Sequence, residues 1–366
     1  MPKKINMQVE RITAVELEEF VSGCVERPGA DLPMSTRRAG SLVRHPLVDP
    51  KDVLLYVIRD GKEVIAYQNL VPDRIAGIRF MWLSAVWVRA DWRGQRLASA
   101  IFHSILKDTE GLLAGTNQAP VRQKRMRKDD RFVEMENDSV VRWYRRFALS
   151  HFLAHRLPAP KVMRPVLKGL DGLLNALHDP MWSIGAVADG PQPESQLGCT
   201  AEDAHFLSQF GPFTSIDAQL LSWRLQYPWL GNEAADQSEK ERYAFSVYAE
   251  EFQNYWWRFR NERDEIQALL WVQLREGHVK VPFWKGTELG SRERAIFLRR
   301  WLQKKKVKSV NMPAFEAEIL TSRGYSGWLR RQLDMPVFVH RTLADQIPTE
   351  AWTAGYGLHR GDWAMT

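Results

Sequence analysis

Residues 88–98, V-R-A-D-W-R-G-Q-R-L-A, set arginines and one glycine between an apolar strand-like run at 78–88 and a helix-like run at 97–106. The first turn of such a helix carries backbone N–H groups with no intrahelical acceptor, at the positive end of the helix dipole. Those groups suit a phosphate or a diphosphate. Gly94 lets the backbone come close to the ligand, and Arg93 and Arg96 bring charge to its oxygens.

A sheet must hold the strand before this loop and the helix after it. Upstream, a strand at 9–12 leads into a helix from Ala14, with Thr13 placed to cap it and Glu16 at the capping-box position. Strands at 53–59 and 63–70 flank an Asp60-Gly61 hairpin turn, and 78–88 is the third strand of the meander. After the helix at 97–106 come a strand at 112–116, a basic loop, a helix at 138–147 and a strand at 151–155. Residues 1–157 thus read as one mixed α/β unit. Residues 158–199, rich in Pro and Gly, read as a connector with one helix at 166–177.

From 200 to 366 the order recurs. A helix at 203–223 precedes strands at 243–248, 255–260, 265–274 and 278–284; a helix at 292–304, a strand at 307–311, a helix at 314–322 and a strand at 336–340 follow. The chain is expected to be two copies of one α/β fold. The second copy lacks the phosphate loop: Lys285, Gly286, Thr287, Glu288, Leu289 and Gly290 stand in its place, and the Glu288 carboxylate would repel a diphosphate.

Composition agrees with a globular protein carrying an anionic ligand. The 366 residues exceed the usual size of one core, and the net charge of +7 suits phosphates. No helix-turn-helix, zinc finger or RNA-binding aromatic signature is present, which disfavours nucleic acid as a partner. Two cysteines, Cys24 and Cys199, build neither a disulfide framework nor a four-ligand zinc site, so no metal is expected and a reducing cytoplasm fits best. No charge-free apolar window is long enough for a transmembrane segment, and the first residues lack the apolar core of a signal peptide.

The residue order from Arg93 to Ala98 resembles the acyl-CoA diphosphate loop of the GCN5-related N-acetyltransferases, R/Q-x-x-G-x-G/A, with Arg96 where that pattern has its middle glycine. The resemblance implies acetyl-CoA, or another acyl-CoA, gripped by Arg93, Gly94, Gln95, Arg96, Leu97 and Ala98. It also implies pantetheine paired with the backbone of Ala85, Val86, Trp87 and Val88, one of whose N–H groups would polarise the thioester. The Trp87 and Val88 side chains fit equally as core. In V-V-R-W-Y-R-R-F-A-L, Tyr144 falls where the family's F-Y-x-x-x-G-F segment places its tyrosine, which protonates the leaving thiolate; the usual glycine is Ala148. Asn117 would bind cofactor or acceptor.

No general base stands out. Glu134, Glu136 and Asp138 can serve as base or as helix-start charge, and His103, His151 and His155 read as core or surface residues. The basic run 122–128 is either a lid for an anionic acceptor or a solvated loop. The abundant tryptophans of the second half fit a carbohydrate cleft or, more simply, a filled core.

Tandem chains with one competent and one degenerate copy occur in this superfamily, the Fem-type aminoacyltransferases and mycothiol synthase among them. The layout and the Gly361-Asp362-Trp363 ending resemble members associated with bacterial exopolysaccharide clusters. The resemblance implies transfer of an acyl group to an amine of a small anionic or sugar-like acceptor, such as a nucleotide-linked aminosugar. The alternatives are an aminoacyltransferase using aminoacyl-tRNA and a catalytically silent binding subunit in polysaccharide assembly.

Overall fold

A computed structural model describes residues 8–116, 120–135, 140–147, 163–183, 193–196, 198–210, 218–322, 329–333, 335–348, 351–352 and 365. In chain order the elements begin with β1 (Glu10–Thr13), α1 (Leu17–Val25), α2 (Thr36–Val43), β2 (Val53–Asp60), β3 (Glu63–Ile75) and β4 (Ile78–Val88). Next come α3 (Leu97–Asp108), β5 (Leu113–Thr116), α4 (Pro120–Met126), β6 (Phe132–Met135), β7 (Val140–Tyr144), α5 (Met163–Ser183) and β8 (Glu194–Gln196). The rest are α6 (Ala201–Ser208), α7 (Ala218–Gln226), α8 (Ala234–Glu239), β9 (Phe252–Arg260), β10 (Ile266–Arg275) and β11 (His278–Gly286). The last are α9 (Glu288–Lys304), β12 (Ser309–Pro313), α10 (Ala314–Ser322), β13 (Leu329–Leu333), β14 (Val337–His340) and α11 (Arg341–Ala344).

These elements form two units that interleave along the chain. Unit 1 takes residues 1–137, 197–252 and 335–366, and unit 2 takes 138–196 and 253–334. Each unit holds one seven-stranded mixed sheet, ordered β1-β2-β3-β4-β5-β14-β6 in unit 1 and β13-β7-β12-β11-β10-β9-β8 in unit 2. In each sheet a single parallel step, β4 to β5 or β11 to β12, joins an outer group of strands to an antiparallel trio. The central strand of each trio is the exchanged one. β14, from the end of the chain, lies between β5 and β6, whereas β7 lies between β12 and β13.

That exchange corrects two sequence expectations. The consecutive partition 1–157, 158–199 and 200–366 gives way to an interleaved one. The helix expected at 138–147 is a strand, β7, with Val140, Val141, Trp143 and Tyr144 all buried. A strand paired on both edges and covered on both faces shows a continuous apolar run, which periodicity alone cannot tell from a buried helix segment. The strand expected at 151–155 lies outside the described residues. The strand expected at 243–248 reduces to isolated bridges, Leu32 with Tyr243 and Gly231 with Tyr248.

In unit 1 both faces of the sheet are covered. Leu17 and Val21 of α1 and Ala39 and Leu42 of α2 join Tyr67, Val71, Phe80 and Trp82 in one core. On the other face Leu97, Ile101 and Ile105 recur at helical spacing along α3 and meet Ile58, Leu70 and Leu83. Full burial of each such side chain stabilises by roughly 1.5–3 kcal/mol, so this stripe fixes the position of α3 firmly. In unit 2, Ala295, Leu298 and Leu302 of α9 pack against Leu270, Val272, Val279 and Val281. Trp223, Trp229, Trp256, Trp257, Trp271, Trp284 and Trp352 are buried, so core filling is their role. Among the described residues no helix is long and apolar enough to cross a membrane, and no cluster of three potential metal ligands occurs.

Candidate functional site

The site is built where β4 changes its partners. On one edge β4 pairs with β3 along its whole length, from Ile78 opposite Ile75 to Val88 opposite Ala66. The register slips between Gln68–Val86 and Asn69–Ser84, which leaves Ala85 as an extra residue on β4. Such a bulge bends its strand and redirects the residues after it. On the other edge β4 pairs with β5 only through Met81, Trp82 and Leu83. Beyond Leu83 no described strand continues the ladder, so Ala85, Val86, Trp87 and Val88 offer a backbone edge to an extended ligand.

The chain leaves this edge through Arg89, whose N–H donates to the Ile65 carbonyl at 2.9 Å, and makes a 3-10 turn over Ala90–Trp92. Trp92 is buried and anchors the turn on the α3 side of the sheet. Arg93 is extended, Gly94 has φ of +84°, and Arg96 has φ of +61° and ψ of +18° at the N-cap of α3. The left-handed conformation at Arg96 is one that glycine adopts freely, whereas an L side chain there costs about 1–2 kcal/mol. Arg93 Nε donates to the Val88 carbonyl at 3.2 Å, tying the start of the loop to the open strand end.

The first turn of α3 is uncapped by any side chain and contains no acidic residue. Ser99 and Ala100 donate to the Arg96 carbonyl, but the amides of Gly94, Gln95, Arg96, Leu97 and Ala98 find no backbone acceptor among the described residues. A Cβ built on Gly94 would meet nothing within 4 Å, so among the described residues the space at Gly94 is open. Free amides, the helix dipole and two exposed arginines fit a diphosphate. Arg125 of α4 adds a further cation nearby, donating to Ser99 Oγ at 3.1 Å. One residue of the basic run, Arg125, therefore reaches the start of α3.

The other expected residues fall differently. Glu134 lies on β6 with both carboxylate oxygens held by Arg127, at 2.7 and 2.8 Å. The bonds from Arg127 push its pKa down, the opposite of what a general base working near neutral pH needs. Tyr144 sits on β7 in unit 2, opposite Ser309 and Leu329, so the helix expected to present it beside the loop is not formed. His103 bonds to the Ser99 carbonyl one turn earlier on the exposed side of α3. Asn117, Glu136, Asp138, His151 and His155 lie outside the described residues.

Sequence reasoning missed a polar group on the opposite face of the same strands. Arg38 of α2 is buried, donates to Ser84 Oγ at 2.6 Å and Tyr243 Oη at 2.9 Å, and lies 3.7 Å over the Trp229 ring. Tyr67 stacks on Trp87 at 5.3 Å, and Asn69 faces Ser84 across the β3–β4 pair. Period-2 spacing of Tyr67 and Asn69 put them on one face, but their polarity inside an apolar strand was the only available signal.

No family model and no curated protein matches this sequence. Among solved structures the chain is similar to a GCN5-related N-acetyltransferase from Kribbella flavida, at 12% identity and a TM-score of 0.44, over 90% of this chain and 71% of that one. It is also similar to Saccharomyces cerevisiae N-myristoyltransferase with bound myristoyl-CoA, at 9% identity and a TM-score of 0.49, over 92% and 83%. The fold class rests on this chain's own strands: two α/β units, each with one parallel step and a closing antiparallel trio.

Proposed function

We propose that unit 1 is an acyl-CoA-dependent N-acyltransferase, using acetyl-CoA or a related thioester and an amine on a small anionic or sugar-like acceptor. One observation carries the reading. An uncapped helix start with free amides follows, across the loop from Arg89 to Arg96, a bulged strand whose far edge is open. The two features match the two ends of one ligand, a diphosphate and an extended amide-bearing arm.

Acyl-CoA would supply an activated acyl group. The amides of Gly94 to Ala98, with Arg93 and Arg96, hold the diphosphate. The open edge from Ala85 to Val88 pairs with the arm and turns an N–H toward the carbonyl that gains negative charge, as an oxyanion donor does. In the transfer a C–N bond forms as the C–S bond breaks; the amine gives up one proton and the sulfur takes one. Holding the two reactants in line can provide most of the acceleration. Use of aminoacyl-tRNA would need the basic run for nucleic acid, but Arg125 and Arg127 are engaged with Ser99 and Glu134.

Isothermal titration with acetyl-CoA tests this directly. Wild type is expected to bind one molecule per chain. The double reversal Arg93→Glu with Arg96→Glu is expected to weaken binding by at least about 100-fold, since it replaces two phosphate-pairing cations with repelling anions. Equal affinities would remove the cofactor site.

A further inference from the structure

The buried arginines of this protein are not alike. Arg224 faces Asp73 at 3.5 Å, Arg258 faces Glu194 at 3.6 Å, and Arg294 faces Glu316 at 3.7 Å. Arg38, only 3% exposed, has two neutral hydroxyls and an indole face as partners, and no described carboxylate within ion-pair distance. Its Nε has no hydrogen-bond partner. A guanidinium out of water without a counter-charge is costly, and folded proteins rarely keep one unless something anionic joins it.

The surroundings share that deficit. Asn69 is fully buried, and neither its Nδ2 nor its Oδ1 has a partner among the described residues. The Tyr67 hydroxyl, also buried, has none either, and burial pushes its pKa up, so it remains a donor. These groups lie together. Arg38 bonds Ser84, Ser84 is the cross-strand neighbour of Asn69, and Tyr67 precedes Asn69 by two positions on the same strand face. Ser84 directly precedes the bulge at Ala85, where the open edge of β4 begins.

We infer that Arg38, Tyr67 and Asn69 bind the carboxylate of the acyl acceptor, which makes the acceptor an amino acid or a small amino-acid-like amine. The inference rests on the acyltransferase reading. Three unused donors, Arg38 Nε–H, Asn69 Nδ2–H and Tyr67 Oη–H, accompany one missing negative charge, and a carboxylate has two oxygens to accept all three. Asn69 Oδ1 is left to accept from the amine. Because Ser84 adjoins Ala85, a carboxylate held here keeps the amine within a few bonds of the thioester position. A long or bulky linker between amine and acid would not fit that spacing.

The test uses the full chain, the common L-amino acids with β-alanine, and the matching carboxamides. At least one free acid is expected to raise the thermal midpoint of wild type while its carboxamide does not. Tyr67→Phe and Asn69→Leu delete atoms with no protein partner, so both variants should fold. Each is expected to abolish that shift and to raise KM for the acid roughly tenfold or more, the worth of one charge-assisted hydrogen bond, with acetyl-CoA affinity unchanged. The assignment is overturned if no acid stabilises the wild type, if acid and amide act alike, or if both variants keep wild-type KM. Loss of acetyl-CoA binding in wild type with acid binding intact would instead remove the acyltransferase reading and leave the anion site standing.

Discussion

Two corners of this molecule occupy the same place in their sheets and are finished in opposite ways. In unit 1 the chain leaves β4 at Val88 and wanders through Arg89 to Arg96 before α3 begins at Leu97. In unit 2 it leaves β11 at Gly286, and Thr287 alone intervenes before α9 begins at Glu288. Thr287 Oγ1 accepts from the Gly290 N–H at 3.2 Å, its own N–H donates to the Gln267 carbonyl at 2.9 Å, and Glu288 sits in the first turn. The second helix start is satisfied by its own side chains and by β10. The first is left for something else. An uncapped helix N-terminus is therefore made by chain length as much as by charge, since the loop must carry the helix start away from the strand.

The largest effect that would sharpen this contrast comes from the glycines. A Cβ on Gly290 would lie 2.8 Å from the backbone carbon of Gln267 and 3.1 Å from Ala268 Cβ, both of them held in β10. Gly290→Ala is expected to destabilise unit 2 by about 1–3 kcal/mol, as overpacking of a rigid site does. Gly94→Ala meets open space, and its cost is only the left-handed backbone at φ of +84°, about 1 kcal/mol. Urea denaturation of both variants measures the difference. A Gly94 variant as damaged as the Gly290 variant would mean that the first corner is packed, not open.

Much of this contrast could be read in the sequence, and the reasons for the rest are physical. The boundaries of β4, the start of α3 and the whole of α10 came out as expected, because strand-like runs ended at turn residues and helix runs had one apolar face. The loss of the loop in the second copy was legible from Thr287, Glu288 and the missing arginines. The exchange of β7 and β14 was not. Both are short runs buried on both faces, and such a strand carries no mark of which sheet it will join. The Arg38 group was invisible for a related reason: Arg38, Ser84 and Tyr243 are far apart in sequence and meet only when α2 is laid on the sheet.

A smaller change asks what the cap in unit 2 contributes. Thr287→Ala removes the side chain that accepts from Gly290, and loss of such a cap costs about 1 kcal/mol. The same substitution is expected to leave acetyl-CoA affinity and stoichiometry as in wild type. If uncapping α9 produced a second molecule of acetyl-CoA per chain in calorimetry, the two corners would differ in charge alone and not in length.

The smallest effect has opposite signs in its two readouts, which is what makes it informative. Arg96 holds a left-handed backbone that glycine adopts without cost, so Arg96→Gly is expected to stabilise unit 1, by up to about 1 kcal/mol after the added freedom of the unfolded glycine is counted. The same change deletes an exposed cation at the first turn of α3, and acetyl-CoA binding is expected to fall several-fold, as for one lost phosphate contact on a partly solvated site. Denaturation and titration on one preparation separate the two. Stabilisation with unchanged affinity would mean that the guanidinium points into solvent and the amides alone grip the ligand. Weaker binding at unchanged or higher stability would show a residue kept in a strained conformation for its charge, which the capped helix start of unit 2 has no reason to tolerate.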